Sequence, residues 1–438
     1  MRRFFKYGVY IYLIVFPVLA ALLMSLTVVN KQSYKNTSYY RFARQQFAWT
    51  TADPEPKYAL KAGWSNVSVL PPVSALSSVG NKSFTRDSVS ARAVVLDNGS
   101  TLAAIIALDL PMMPPAVAEE LQKKLPQHGF SWKNIYLSAT HAKPLVGGWA
   151  KDYMGQQDSG DYDQGWVNQL VDTILQAVAR AKANLATVKI GADYLSFTAS
   201  HRTDPIHLLR LRKETGESAV IFTGLGNDLP PVDPMALAGQ RDWVSQISQG
   251  IEKQAHCFPL FMVGAIQDAH TGTESANRAA FTTDDVNKIV SQIALTVDRQ
   301  PLETDSTLIA QTTTLAQAHS DPQIRISQHW RLKSWLARKL YGDYSTELKA
   351  LQVGKTVFVG FPGAVSSQLV PAFSELKMGR DQNLVLTSYN GGNIGQIVPD
   401  TYYYATESPY NIREINRFGP QTAQFMLEMT QSLVSSLK

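Results

Sequence analysis

The sequence predicts a mixed α/β fold, a mixed sheet with flanking helices, preceded by a transmembrane helix. Three observations carry that expectation. Apolar runs of strand length alternate with helical periodicities from about residue 58 onward. A chain of 438 residues, 45% of them apolar, can bury a large core. Residues 8–29, GVYIYLIVFPVLAALLMSLTVV, contain no charged side chain. The expected organisation is a membrane span or signal anchor at 8–29, a juxtamembrane linker at 30–56 and one α/β domain at 57–438.

The N-terminal run is long enough to cross a hydrocarbon layer of ~30 Å at ~1.5 Å per residue. Pro17 can kink such a helix without forbidding it. The basic start MRRFFKY resembles a secretory signal, but the apolar run is longer than a signal's and no small-x-small cleavage site follows. An uncleaved anchor is therefore preferred over a cleaved signal or a buried core helix. Basic residues flank the run on both sides, so charge counting splits; signal-like order places the body outside the cytoplasm, on the periplasmic side in a bacterium. Residues 30–56, rich in Tyr, Gln, Lys and Arg, read as a connector.

The body's elements follow from periodicity and turn chemistry. SARAVVLDNGSTLAAIIALDL at 90–110 reads as two strands around an Asp-Asn-Gly-Ser turn. Pro115 opens a helix through AVAEELQKKL, where its missing N–H costs nothing. NIYLSAT at 134–140 is a strand that delivers His141 at its C-terminal end, where open α/β sheets place ligands. Val167, Leu170, Val171, Ile174, Leu175 and Val178 recur at helical spacing. HLLRLRKETGESAVIFTGLG at 207–226 reads as a hairpin, and FPLFMVGAI at 258–266 as a buried strand. Residues 284–297 supply another amphipathic helix, KTVFVGF and NLVLTSY two more strands, and a last helix follows Gly419-Pro420. No repeat or low-complexity tract is visible, and strand order does not follow from the pattern.

Charge and cysteine content exclude several classes. Seven basic and no acidic residues lie in the first 45; removing them from the 41 basic residues leaves 34 against 36 acidic ones, a net −2. Such a body has no general footprint for a nucleic-acid backbone. The single cysteine, Cys257, permits no intrachain disulfide and, at the mouth of an apolar run, reads as a buried structural thiol. HExxH, P-loop and G-x-S-x-G patterns are absent.

Polar residues follow several apolar strands: Asp109, His141 with Lys143, Asp268 with His270, and Ser388 with Asn390. Such residues can share one rim of a sheet, or each can simply fix a turn. His141, Asp268 and His270 are the catalytic candidates, since imidazole suits proton transfer. HWRLKSWLARKLYG at 329–342 mixes Trp and Leu with Arg and Lys, as in a helix lying at an anionic membrane interface or docked on the body.

An ordered series of segments then resembles the neutral/alkaline, non-lysosomal ceramidases over roughly residues 58–438. LSATHAKPLVGG at 137–148 is similar to that family's Ser-Ala-Thr-His-Thr-His-Ser-Gly-Pro-Gly-Gly segment, and ARAVVLDNG at 91–99 to its Ala-Arg-Ala strand and turn. HRTDP at 201–205, VGAIQDAHTG at 263–272, GFPGA at 360–364 and YNGGNIGQIVP at 389–399 resemble further family segments in the same order. The resemblance implies a ceramidase N-terminal-domain-like body. It also implies a site in which zinc, held by two histidines, a glutamate and a tyrosine, activates water against the amide of ceramide. Zinc suits that chemistry because it polarises a carbonyl and lowers the pKa of bound water toward ~7.

Departures from the family pattern fall on the ligands themselves. His141 matches the first histidine of the pair and is the metal-ligand candidate. Lys143 stands at the second, Thr223 at the family's separate metal histidine, Ala364 at the glutamate and Gln396 at the tyrosine. His270 occupies the place of the family's site serine. Lys143, Trp149, Arg202 and Asn390 are the substrate-binding candidates. The expected function is a membrane-associated ceramidase-like protein that acts on or binds lipids, with the zinc amidase site degenerate and no tightly bound cofactor. Two alternatives remain. One is an active hydrolase of a linear amide or ester in an amphipathic lipid, with zinc or a His/Asp pair in a rebuilt site. The other is a non-catalytic cell-envelope scaffold with a protein partner.

Overall fold

A computed structural model describes residues 16–48, 55–76, 88–142, 146–199, 202–227, 243–267, 283–315, 321–343, 346–379, 381–405 and 411–437. The chain enters as a helix over 16–25 (α1) and turns at once into a short strand, β1 (Leu26–Val28). Residues 26–28 of the expected 8–29 helix are thus extended. β-Branched Thr27 and Val28 suit an extended backbone, and β1 pairs antiparallel with Trp330–Leu332. Residues 8–15 lie outside the described set. Among the described residues no helix is long and apolar enough to cross a membrane.

Part of the expected 30–56 connector is folded onto the body. It contains α2 (Ser38–Ala48), and Tyr34, Tyr39 and Ala43 are buried. Tyr39 meets Phe425 edge-on at 5.2 Å, an aromatic contact that ties this stretch to the last helix.

Three similar units make up the body. In the first, β2 (Lys61–Val69), β3 (Val89–Asp97) and β4 (Leu102–Leu108) form an antiparallel meander. The β3–β4 turn is the expected Asp-Asn-Gly-Ser: Gly99 takes φ +84°, and its N–H donates to the Asp97 carboxylate at 2.8 Å. Helix α3 (Pro115–Lys124) then crosses over to β5 (Ile135–Ala139), which runs parallel to β4. Two helices follow, α4 (Tyr153–Ser159) and α5 (Gln164–Ala183). The second unit repeats the scheme: β6 (Ala186–Ala199), β7 (Arg202–Lys213) and β8 (Ser218–Asn227), crossover α6 (Trp243–Gln254), parallel β9 (Cys257–Gln267), then α7 (Thr283–Arg299).

The third unit begins with β10 (Leu308–Thr314) and carries an insertion formed by β11 (Trp330–Leu332) and α8 (Ser334–Tyr341). The segment expected as one amphipathic helix is thus a strand followed by a helix. β12 (Glu347–Val353) and β13 (Thr356–Gly360) complete the meander. After β14 (Ala364–Val365) and the short crossover α9 (Val370–Ser374), β15 (Asn383–Thr387) runs parallel to β13. β16 (Gln396–Ile397) pairs with β14, and α10 (Thr422–Ser435) closes the chain.

Strand alternation gives each four-stranded sheet two apolar faces. One is covered by helices: Ala93, Val95 and Ile106 by α3 and α5, Val220 and Phe261 by α6 and α7, Leu348 and Val359 by α10 and α2. The other three faces meet each other. Val94, Ile105 and Tyr136 pack with Leu209, Ile221 and Met262 and with Leu308, Leu351 and Phe358 in one central core. The first two sheets also join edge to edge through Lys61 and Ala62 of β2 against β6.

Candidate functional site

Parallel strand β5 ends at one point of this assembly, and residues around the ends of β9 and β15 meet it there. β5 and β9 are opposite edges of the joined eight-stranded order, but the sheet folds back and brings them into contact. The segment after β15 sits between them. Ser388 donates its N–H to Val263 at 3.1 Å and its hydroxyl to Gly264 at 2.8 Å, both carbonyls of β9. Asn390 donates its side-chain amide to the Leu137 carbonyl of β5. Buried Asn390 thereby bridges two units.

His141 leaves β5 with φ +54°, a left-handed backbone that is rare for a side chain of this size. Tyr389 occupies the matching position after β15 with φ +59°, and the two rings stack at 5.3 Å with planes 20° apart. His141 Nδ1 lies 2.7 Å from the Pro111 carbonyl. A carbonyl only accepts, so Nδ1 carries the proton and Nε2 keeps its lone pair. Burial pushes the imidazole pKa below its usual value, against the Pro111 hydrogen bond. His141 is thus a neutral imidazole held in one orientation, able to act as a base or a ligand. Beside it, Thr140 donates to the Asp109 carboxylate at 2.9 Å.

The Gly147-Gly148 pair has a steric reason. A Cβ on Gly147 would stand 1.8 Å from the Ser159 carbonyl oxygen, and Gly148 takes φ +75°. Trp149, expected to bind substrate, is buried among α5-side residues and its indole N–H donates to the Val146 carbonyl at 3.2 Å. Arg202 opens β7, paired with Ala199. Lys143, Asp268 and His270 lie outside the described residues. Cys257 is buried, and burial raises its thiol to about 12, as suits a structural residue.

A cavity of about 560 Å³ opens beside Asp109 and Thr140. Its wall is hydroxyl- and amide-rich, with Asn66, Ser68 and Ser90 from the first unit facing Ser248 and Gln249 of α6. Arg92, also in the wall, is matched by Glu252 at 2.8 Å and by the Pro259 carbonyl at 3.0 Å. The cavity therefore offers hydrogen bonds without a free cation from that arginine.

A family model described as neutral/alkaline non-lysosomal ceramidase, N-terminal, matches residues 84–202. That stretch of the chain is similar to the family. A crystal structure of neutral ceramidase from Pseudomonas aeruginosa matches with a TM-score of 0.64 at 13% identity, over 87% of this chain and 74% of that one. A ceramidase complexed with C2 gives the same score and identity over 87% and 75%. No curated protein matches the sequence. The mixed α/β fold is thus that of the ceramidases.

Two of the positions that the resemblance pairs with the zinc ligands, Ala364 and Gln396, connect to His141 through Tyr389. Tyr389 donates its N–H to the Gly363 carbonyl at 3.0 Å, next to Ala364, and Ala364 pairs with Gln396 across β14–β16. Their chemistry does not fit zinc. Ala364 has no donor atom and Gln396 offers a neutral amide, whose oxygen is buried without a partner among the described residues. Thr223 is buried with its hydroxyl committed to the Met262 carbonyl at 3.0 Å. Among the described residues no three His, Cys, Asp or Glu side chains group to hold a metal, whereas catalytic zinc sites use three protein ligands. Sequence reasoning missed Tyr389 and Pro111, which orient His141. Neither residue type carried a signal of its own; only the strand-end spacing that singled out Asn390 pointed near Tyr389.

Proposed function

We propose that this is a membrane-associated ceramidase-fold protein that binds an amphipathic lipid while the zinc amidase chemistry of the family has been lost. One observation carries the reading: beside an oriented His141, Ala364 and Gln396 bring a methyl and a neutral amide to positions that the resemblance pairs with zinc ligands. A fold kept with its strand-end junction and adjoining polar cavity, but with its charged ligands replaced, supports recognition without hydrolysis. The cavity wall favours a hydroxyl- or amide-bearing headgroup, which the ceramidase relationship makes sphingolipid-like. Body placement on the periplasmic side, and binding of a cell-envelope protein, belong to the same proposal.

Turnover decides between this reading and a rebuilt hydrolase. The purified full chain, given detergent-dispersed ceramide and added zinc, is expected to release no fatty acid above a protein-free control. Release that His141→Asn abolishes, in a variant that still folds, would establish the hydrolase instead.

A further inference from the structure

The join between α1 and the body contains no free linker. β1 hydrogen-bonds to β11 along its length, in the register Leu26–Leu332, Thr27–Arg331 and Val28–Trp330. The last carbonyls of a helix have no intrahelical partner. Here the body supplies them: Lys333 N–H donates to the Ser25 carbonyl at 2.8 Å and the Trp335 indole donates to the Met24 carbonyl at 3.1 Å. Val29 N–H donates in turn to the His329 carbonyl at 3.0 Å. The helix and the β11–α8 insertion therefore move together.

The surface of this joint has the composition of a bilayer interface. Phe16, Val18, Leu19, Leu22, Leu23 and Met24 are all about half exposed or more, and at 100° per residue they point, together with exposed Pro17 and Ala21, around the helix axis. A protein partner or a second copy covers one face of a helix; an apolar surface on every side calls for lipid. Trp330 and Trp335, 47% and 50% exposed, stand where the helix meets the body, with exposed Lys339 beside them. That is the amphipathic belt of a membrane-water boundary. Leu332, Ala337 and, in part, Leu336 face inward and hold α8 to the body.

The same joint abuts the candidate site. Tyr341, the last residue of α8, lies under the Arg417 guanidinium at 4.9 Å. Arg417 donates to the Asn393 carbonyl at 3.4 Å. Two residues on, Gly395 accepts from Ala364 N–H at 3.1 Å, and Gln396 pairs with Ala364. We infer that the β1–β11 clamp fixes α8 in the headgroup layer of the bilayer. The rim beside Ala364 and Gln396 is then presented to membrane-resident lipid rather than to lipid dispersed in water. The inference rests on the membrane reading of the preceding section and adds a fixed orientation to it.

Tryptophan quenching by acyl-brominated phosphatidylcholine tests it. The full chain is reconstituted into phosphatidylcholine vesicles containing some phosphatidylglycerol, with and without the brominated lipid, and flotation is scored in parallel. The wild type should float and be quenched. Trp330→Phe/Trp335→Phe should float and lose at least half of that quenching. A Gly-Ser segment inserted between Ser25 and Leu26 leaves β1 paired but frees α1; it should float with a similar loss. Undiminished quenching in the double variant or in the insertion variant would overturn the fixed orientation while leaving the anchor intact. Failure of the wild type to float would remove the membrane reading itself, and the inference with it.

Discussion

His141 shows how one residue's chemistry is set by its neighbours. The Pro111 carbonyl fixes its tautomer, the Tyr389 ring stacks on it, and burial favours the neutral form. A histidine whose folded pKa is depressed contributes stability that is full above the unfolded value of ~6.5 and is lost as pH falls through the folded one. Wild type should therefore lose thermal stability more steeply than His141→Asn on acidification below that point. Asparagine tolerates the left-handed backbone, so the comparison isolates the ring. Burial depresses His207 likewise and raises Asp400 to about 6, with the opposite sign, so the readout is the wild-type-minus-variant difference in melting temperature across pH. Identical pH profiles would mean that the ring is not held neutral. The sequence pointed to His141 through the strand that precedes it, but its partners come from residues 30 positions before and 248 positions after it, and local pattern cannot supply them.

At the scale of elements, the strand–turn–strand runs, the Pro115 helix and the long helix through Trp166 were legible because short-range periodicity decides them. The N-terminal region was not. Its composition alone read as span and connector, whereas the pairing of Leu26–Val28 with Trp330–Leu332 and the docking of Tyr39 on Phe425 are contacts across hundreds of residues. Lys349 is another such contact. Its ammonium is buried, donates to the Trp132 and Ile135 carbonyls at 3.1 and 3.0 Å, and lies 3.9 Å over the Trp132 ring, joining β12 of the third unit to β5 of the first. Burial lowers its pKa to about 8, partly offset by Glu347 at 3.4 Å. Lys349→Met removes the cation and leaves Glu347 and two carbonyls without it, a loss of about 3 kcal/mol. Urea unfolding should show that loss at pH 7; a change below about 1 kcal/mol would mean that the junction is held by apolar packing alone.

For the whole molecule, the scheme of three strands, a crossover, a parallel strand and a helix occurs three times around one core, although no repeat is visible in the sequence. Topology survives where side-chain identity does not, because a strand needs only alternation and a helix only its apolar stripe. With all three sheets sharing the central core, calorimetry should record one cooperative transition for the body; separate transitions would mean units that fold independently. On the proposed function, the charged zinc ligands of the site were replaced while the strand end that delivers His141 was kept. Zinc content tests that most directly. After purification without chelator and dialysis against zinc-free buffer, elemental analysis of the full chain should find zinc far below one per molecule. One zinc per chain, lost in a folded His141→Asn variant, would contradict the account and restore a metal centre to this fold.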